Sequence, residues 1–325
     1  MTRLLPILLA ALLLAGCATQ DGLEPGASCG ESSNMPLPVQ RAGTAILVPV
    51  TANGVRLRFM LDTGGASSVI DRRVALALGL MHGDVTHTMV RDVAGERMVD
   101  QVAVQDLHLG SITLPPQRLI VSDGFAFDGV IGLDVLSRYD LDIDLAHNSV
   151  VLRNLGLCPD KTPLDLADLR ARPATRMLTM PAIRGIIDGT RENHHAEPFL
   201  QVAARLDGEW GLAMFDTGAL AGSLLSPKFT AKLKLGPEAF ASDQAVTTRG
   251  LGPGTEVRLH RFGRLELGGE VFEAPTLLVT SDAGLRFPLI LGSDYFLHHR
   301  VWFNFAANRV FVWPDATVAP MVPGS

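Results

Sequence analysis

The chain has 325 residues and a formal net charge of −6 at pH 7. Its length is sufficient for two domains of ordinary size, each with its own core. The acidic balance and the lack of a basic cluster argue against nucleic acid as a partner.

The first 17 residues have the character of an export signal. Arg3 provides a positive start and residues 4–14 are apolar. Leu14-Ala15-Gly16-Cys17 then resembles the bacterial lipobox, in which the cysteine is lipidated and becomes the first mature residue. An uncleaved membrane anchor is the alternative, but the apolar stretch is short for a bilayer. Because Ala18, and not Asp, follows the cysteine, the resemblance implies an outer-membrane lipoprotein that faces the periplasm.

The body of the chain begins after residues 18–40, which are rich in Gly, Ser and Pro and predict a flexible tether. Alternating apolar and polar residues then predict a largely antiparallel, all-β protein with few short helices. The predicted strands cover residues 45–50, 55–61, 102–109, 200–206, 257–267, 301–305 and 309–313. The predicted helices cover residues 71–78, 133–136, 227–233 and 294–298, with Asp71 as the cap of the first.

One triplet occurs twice, each time after an apolar run: Asp62-Thr63-Gly64 and Asp216-Thr217-Gly218. The similarity continues beyond the triplets, since Val130-Ile131-Gly132-Leu133-Asp134 returns as Ile290-Leu291-Gly292-Ser293-Asp294. The repeat length is about half the chain, which indicates an internal duplication and not an array of short repeats.

The duplicated triplets predict one site made from two halves. Gly64 and Gly218 allow a tight turn at which the preceding Asp leaves the strand. Two such turns that meet across a pseudo-twofold axis would bring the carboxyls of Asp62 and Asp216 within hydrogen-bond reach. Two adjacent negative charges repel each other, so one carboxyl would stay protonated while the other is charged. Such a pair could activate a water and protonate a leaving amine.

With these motifs, each half resembles a retropepsin-type aspartic protease domain, and the whole resembles a single-chain form with two pepsin-like barrel domains. The resemblance covers roughly residues 42–152 and 197–313. It implies that Thr63 and Thr217 brace the dyad and that Gly132 and Gly292 allow close approach behind the triplets. It also implies that no obligate dimer is needed to complete the site. One position departs from the family pattern: Gly65 stands where Ser, Thr or Ala is common, which removes a possible hydrogen bond to Asp62.

The duplication divides the chain into segments. Residues 1–17 form the signal, 18–40 the tether, 41–155 the first domain, 156–196 a Pro-containing interdomain connection, 197–315 the second domain and 316–325 a tail. In each domain a glycine turn occupies the position of the family's flap, the hairpin that closes over substrate. Gly95 and Gly252 are the flap candidates, with an ordinary structural turn as the alternative for each.

Other catalytic or metal-binding patterns are absent from the sequence. His194-His195 and His298-His299 do not form a metal-binding spacing, so solvated or capping roles are expected, with no metal and no cofactor. No Gly-x-Ser-x-Gly elbow occurs, which weakens the case for a serine hydrolase. With Cys17 lipidated, Cys29 and Cys158 remain as a pair, and the family fold, in which the first and last strands of a domain run close together, implies a disulfide between them. Two unrelated thiols are the alternative.

The sequence therefore predicts an aspartic endopeptidase that acts on peptides or unfolded proteins and is attached to the membrane by a lipid anchor. Two other classes remain open. One is a peptide-binding envelope lipoprotein that keeps the fold without turnover, and the other is a structural envelope protein in which the carboxyls only bond the loops.

Overall fold

A computed structural model describes residues 34–92, 95–153, 177–184, 199–248 and 255–314. Cys17, Cys29, Cys158 and Gly252, together with the expected signal and the tail, lie outside these described residues. Within the described ranges, no helix combines the length and the apolar character needed to cross a membrane.

Strands dominate both halves. The first half contains β1 (Asn34–Leu37), β2 (Gln40–Ala42), β3 (Ala45–Ala52), β4 (Val55–Leu61), β5 (Val69–Asp71), β6 (Val85–Asp92), β7 (Gly95–Val104), β8 (Leu107–Leu109), β9 (Ile112–Leu114), β10 (Gln117–Ser122), β11 (Gly129–Ile131), β12 (Asp140–Asp144) and β13 (Ser149–Arg153). The second half contains β14 (Leu178–Arg184), β15 (Leu200–Leu206), β16 (Glu209–Phe215), β17 (Leu224–Leu225), β18 (Gln244–Thr248), β19 (Thr255–Arg261), β20 (Arg264–Leu267), β21 (Glu270–Glu273), β22 (Thr276–Thr280), β23 (Leu289–Leu291), β24 (His299–Asn304) and β25 (Arg309–Pro314). The predicted all-β class is confirmed.

The helices are short. They are α1 (Arg72–Ala77), α2 (Leu133–Leu136), α3 (Pro227–Lys232) and α4 (Ser293–Phe296), with 3-10 turns at Leu80–His82, Leu145–His147 and Pro237–Phe240. Asp71 caps α1, as predicted, by accepting a hydrogen bond from the Arg73 amide at 2.8 Å. Ser226 caps α3 in the same way.

Corresponding strands have the same neighbours in the two halves. In the first half, β4 lies antiparallel to β3 and parallel to β11. In the second half, β16 lies antiparallel to β15 and parallel to β23. The strand that precedes each triplet is thus held between two others. Its last three residues are buried in both halves, so the core of each domain lies directly behind its triplet.

Six strands of a larger sheet join the halves, in the order β1-β13-β12-β24-β25-β14. The junction is the antiparallel pair of β12 and β24, in which Leu141 is opposite Phe303. The Asp142 carboxylate accepts from Arg153 of the first half at 3.0 Å and from the Arg300 Nε of the second half at 2.7 Å. Hydrogen bonds and an ion pair therefore fix the halves relative to each other.

The structure corrects several predicted boundaries. The composition predicts a tether over residues 18–40, but 34–37 form β1, and 40 begins β2. β14 lies within the predicted interdomain connection. It pairs with both β25 and β15, so this part of the connection is a strand of the fold. The predicted strands at 102–109 and 257–267 are each two strands separated by a short turn, because alternation alone does not reveal a turn.

Candidate active site

The two triplets follow the buried ends of β4 and β16. The Asp62 amide donates to the Ile131 carbonyl at 3.0 Å, and the Asp216 amide donates to the Leu291 carbonyl at 2.9 Å. Each bond extends a parallel pair by one residue, so the neighbouring strand decides where the Asp leaves the sheet.

The threonine of each triplet binds the opposite half. The Thr63 amide donates to Thr217 Oγ1, and the Thr217 amide donates to Thr63 Oγ1, both at 3.0 Å. The Thr63 hydroxyl donates to the Phe215 carbonyl at 2.9 Å, and the Thr217 hydroxyl donates to the Leu61 carbonyl at 2.8 Å. Four hydrogen bonds therefore connect the two turns, and each strand end is bonded to the other half.

The triplet glycines leave room for the opposite carboxyl. A Cβ added at Gly64 would overlap the carboxyl of Asp216, and one added at Gly218 would lie 2.6 Å from Asp62 Oδ1. Each glycine amide also donates to the Asp two residues earlier, at 2.8 Å for Gly64 and 2.7 Å for Gly218. Close approach of the halves, and not only the turn, therefore requires glycine at both positions.

The carboxyls of Asp62 and Asp216 lie next to each other, each against the glycine of the opposite triplet, and they interact electrostatically. Asp62 is buried and Asp216 is half-buried. Burial raises the pKa of Asp62, and burial together with the charge of Asp62 raises the pKa of Asp216 well above its ordinary value. The pair therefore keeps a shared proton to a higher pH than two isolated carboxyls would.

The later glycines lie behind the triplets, as the resemblance implied. A Cβ at Gly132 would lie 2.8 Å from the Gly65 carbonyl oxygen, and one at Gly292 would lie 2.7 Å from the Ala219 carbonyl oxygen. The chain after each triplet thus packs directly on the backbone that leads into α2 or α4, so a side chain there would push the loops apart.

Sequence reasoning missed a serine–aspartate pair in each half. Ser68 Oγ donates to Asp134 Oδ1 and accepts from the Gly132 amide, at 2.7 and 3.0 Å. Ser223 Oγ makes the same bonds, at the same distances, to Asp294 Oδ1 and the Gly292 amide. The duplicated motif includes both aspartates, so the sequence could have indicated that they have a shared role. The two serines do not belong to a recognisable motif, so their part in the pair could not be predicted.

The halves differ next to the dyad in one side chain, because Gly65 follows the first triplet and Ala219 follows the second. Asp216 Oδ1 accepts from the Ala219 amide at 3.2 Å. At the corresponding Gly65, an added Cβ would lie 3.1 Å from Asp62 Oδ2. The position is close enough to touch the carboxylate, and in this chain it carries no side chain.

The first flap candidate lies at a hairpin tip. Gly95 begins β7 and pairs with Asp92 at the end of β6. Val90 and Val99 of this hairpin pack in an apolar cluster that also includes Leu220, two residues after the second triplet. The hairpin of the first half and Leu220 of the second half thus pack against the same apolar cluster.

His299 has one of the two roles expected for the histidines. It is buried and not solvated, but its Nδ1 lies 2.8 Å from the Tyr295 carbonyl oxygen, so it caps the end of α4. Its Nε2 lies 2.9 Å from Glu270 Oε1, and its ring stacks on Tyr295 at 3.9 Å. His194 and His195 lie outside the described residues. In the described part of the chain, no group of three or more His, Cys, Asp or Glu side chains is placed to hold a metal ion.

Both halves match family models. Residues 48–138 match the family described as "gag-polyprotein putative aspartyl protease", and residues 202–295 match "Aspartyl protease". Protein DDI1 homolog of Leishmania major is 30% identical over 118 residues, which is 35% of this chain and 30% of that protein. DNA damage-inducible protein 1 of Chaetomium globosum is 24% identical over 148 residues, 45% of this chain and 33% of that protein.

The chain thus matches about a third of the length of these relatives. Among solved structures, the aspartic proteinase from Irpex lacteus is similar with a TM-score of 0.50 and 15% identity, over 89% of this chain and 100% of that one. At this identity the likeness shows the two-domain fold alone. Taken with the two family matches, it shows that the chain contains two retropepsin-like aspartic protease domains, one in each half.

Proposed function

We propose that this chain is an aspartic endopeptidase whose dyad is Asp62 and Asp216. The observation that supports the proposal most directly is the pair of adjacent carboxyls, whose turns are joined by threonine hydrogen bonds from both halves. The raised pKa of both groups supports it further, because the chemistry needs one proton on the pair near the working pH.

The dyad acts as one acid–base unit. The charged carboxyl takes a proton from a water as the water oxygen attacks the peptide carbonyl carbon, and the protonated carboxyl donates its proton to the carbonyl oxygen. The C–N bond then breaks as the nitrogen receives the proton of one carboxyl, while the other carboxylate takes a proton from a hydroxyl of the tetrahedral intermediate. The acid and amine products leave, and the dyad again carries one proton. We expect the substrate peptide to bind in an extended conformation beside the strands, because backbone hydrogen bonds to a strand can hold a peptide in place.

Peptides and unfolded proteins are the proposed substrate class. The support is that residues 48–138 and 202–295 match families of aspartyl proteases.

The test is a cleavage assay with a peptide library, read by mass spectrometry, on the full-length chain. Asp62→Asn and Asp216→Asn should each reduce turnover by roughly 10²- to 10⁴-fold or more, and the double variant should lose no more than either. Asp106→Asn is the matched control, since Asp106 is exposed and paired with His108. Wild-type turnover in either single Asn variant would exclude the dyad mechanism.

The protonation of the dyad predicts how turnover depends on pH. Turnover should fall at low pH when both carboxyls are protonated and at high pH when the shared proton is lost, giving a bell over roughly pH 3–8. If the wild type binds peptides at every pH and never cleaves them, the peptide-binding lipoprotein, which the bare Gly65 favours, becomes the better assignment.

We also propose that the chain is exported and lipidated at Cys17, and faces the periplasm from the outer membrane. The lipobox pattern of the sequence is the support for this. Cys17→Ser should leave unprocessed precursor in the membrane fraction, as judged by mass spectrometry of the N-terminus. Normal processing and location of this variant would show that the lipobox assignment is wrong.

A further inference from the structure

The hairpin of the first half is tied to its neighbours by charge. Arg72, the first residue of α1, donates from Nη1 to Asp100 Oδ2 of β7 at 3.1 Å. It also donates from Nε to Asp123 Oδ2, just after β10, at 3.1 Å. These three residues, named here the ionic clip, hold the helix, the hairpin and the following loop together.

The duplication identifies the position that corresponds to Arg72 in the second half. Asp71 caps α1 and Ser226 caps α3, so the first helical residues are Arg72 and Pro227 respectively. The arginine that forms the clip is therefore replaced by a proline, which has neither a charge nor a donor.

The strand pairing identifies the other two positions. Val121 and Val279 both pair in parallel with the strand that follows their triplet. Arg258 is opposite Val279, and continuing the β7–β10 register by one residue beyond Ile120 sets Asp100 opposite Val121. Arg258 therefore corresponds to Asp100, with the opposite charge.

Ser281 corresponds to Asp123, since each lies two residues after its valine. The second half therefore has proline, arginine and serine where the clip has arginine and two aspartates. Such a set cannot form the clip.

A cavity of about 700 Å³ lies where the clip is missing, and Pro227, Arg258 and Ser281 all line it. We name it the hairpin-base cavity. Much of its wall is apolar, with Ala231, Leu235, Pro237, Phe240 and Val279. Its volume is within the range of roughly 300–1,000 Å³ that is usual for small-molecule sites.

One positive group faces this apolar space. Arg258 donates to the Asp243 carbonyl at 3.1 Å and to Glu256 Oε1 at 2.8 Å. A guanidinium has five N–H groups, so donors remain for a ligand. The Glu256 side chain is 64% exposed, and an ion pair this exposed contributes little, so a competing carboxylate can displace it.

We propose that the hairpin-base cavity binds a small molecule that has a carboxylate and an apolar body. The carboxylate pairs with Arg258, and the apolar body fills the space against Leu235 and Phe240. A bound ligand would connect β19 to α3, as the ionic clip connects β7 to α1. A fatty acid and a peptide C-terminus with apolar last residues share this chemistry.

The first test measures binding to the full-length chain by titration calorimetry. The probes are octanoate and acetyl-Leu-Phe with a free carboxylate, and the controls are octanamide and acetyl-Leu-Phe-amide. At least one acid should bind about tenfold or more tightly than its amide, because a hydrogen bond to a charged group is lost in the amide. Binding of octanoate would indicate a fatty acid as the ligand, and binding of acetyl-Leu-Phe would indicate a peptide C-terminus. Binding of neither acid, or equal binding of acid and amide, would overturn the proposal.

The second test assigns the site with variants. Arg258→Met should lose the preference for the acid, whereas Glu256→Gln should bind the acid more tightly because a competing carboxylate is removed. Arg72→Met is the matched control in the first half and should leave the affinity unchanged. If Glu256→Gln weakens binding, or Arg72→Met weakens it as much as Arg258→Met, the cavity is not the site.

A third variant rebuilds the clip. Pro227→Arg with Arg258→Asp and Ser281→Asp should fill the cavity and abolish acid binding, with a melting temperature at least equal to that of the wild type. Acid binding retained in this folded variant contradicts the proposal. If the triple variant does not fold, Arg258→Met and Glu256→Gln still decide the outcome.

Discussion

At the scale of single residues, the candidate site depends on side chains that do no chemistry. Thr63 and Thr217 each accept from the other's amide and donate to a carbonyl of the opposite half. The backbone groups they satisfy are buried, so loss of either hydroxyl leaves a buried donor and a buried acceptor without a partner.

Thr63→Val keeps the shape of the side chain and removes two of these bonds. We expect it to lower the free energy of unfolding by about 2–4 kcal/mol, because two buried groups lose their partners. Thr63→Ser is the control, since it keeps the hydroxyl, and should cost clearly less. Urea unfolding of the three proteins measures the difference, and equal midpoints for Val and wild type would refute the bracing role.

At the scale of elements, the pairing of β1 with β13 bears on the two remaining cysteines. Asn34 is opposite Arg153, and the pairing is antiparallel. In the sequence, Cys29 lies five residues before Asn34 (34−5) and Cys158 five residues after Arg153 (153+5). Both lie outside the described residues, and the disulfide between them stays a prediction.

The prediction is that Cys29 and Cys158 are bonded in the exported protein. The support is that Asn34 and Arg153, the described residues nearest in sequence to the two cysteines, are opposite each other. The bond should contribute about 2–4 kcal/mol to stability. Mass spectrometry of alkylated, unreduced protein checks it: a cross-linked peptide is expected, and alkylation of both thiols would contradict it. Cys29→Ser with Cys158→Ser supplies the control for stability.

At the scale of the whole molecule, the interdomain sheet contains a carboxyl poised to titrate. Asp140 of β12 accepts from the Trp302 indole of β24 at 3.0 Å, across the junction of the halves. Burial raises its pKa to about 7, although the Trp302 bond and the charge of Arg153 both lower it. In the unfolded chain the same carboxyl ionises near pH 4.

This difference predicts how stability changes with pH. Between about pH 4 and pH 7 the unfolded chain binds fewer protons at Asp140 than the folded protein, so this group lowers the free energy of unfolding as pH rises. Below pH 4 it has no effect, and above pH 7 its cost is constant, at most about 4 kcal/mol.

Asp140→Asn tests this effect, because Asn cannot ionise and still accepts from Trp302. The variant should gain stability relative to wild type as pH rises from 4 to 7, measured by denaturant unfolding at several pH values. Asp106→Asn, at an exposed site, is the control and should show little change. A constant difference between Asp140→Asn and wild type across this range would contradict the raised pKa.

The sequence alone determined the β class, the duplication and the identity of the two carboxyls. Alternation of apolar and polar residues predicted the observed bounds of β4 and β15. Successive side chains of a strand point to opposite faces, so this pattern can be read from adjacent residues in the sequence. The triplets could be recognised for a similar reason: a tight turn after a buried strand needs the same few residues each time. Asp71 as a helix cap is equally local.

Only the tertiary structure decided which distant groups meet. The role of Ser68 and Ser223, the place of β1 and β14 in the interdomain sheet, and the burial of His299 depend on contacts between remote segments. No local pattern reveals the partner of a serine, a histidine or a strand, because each partner lies far away along the chain. For the same reason, the loss of the ionic clip in the second half became visible only when strand pairing aligned Arg258 with Asp100.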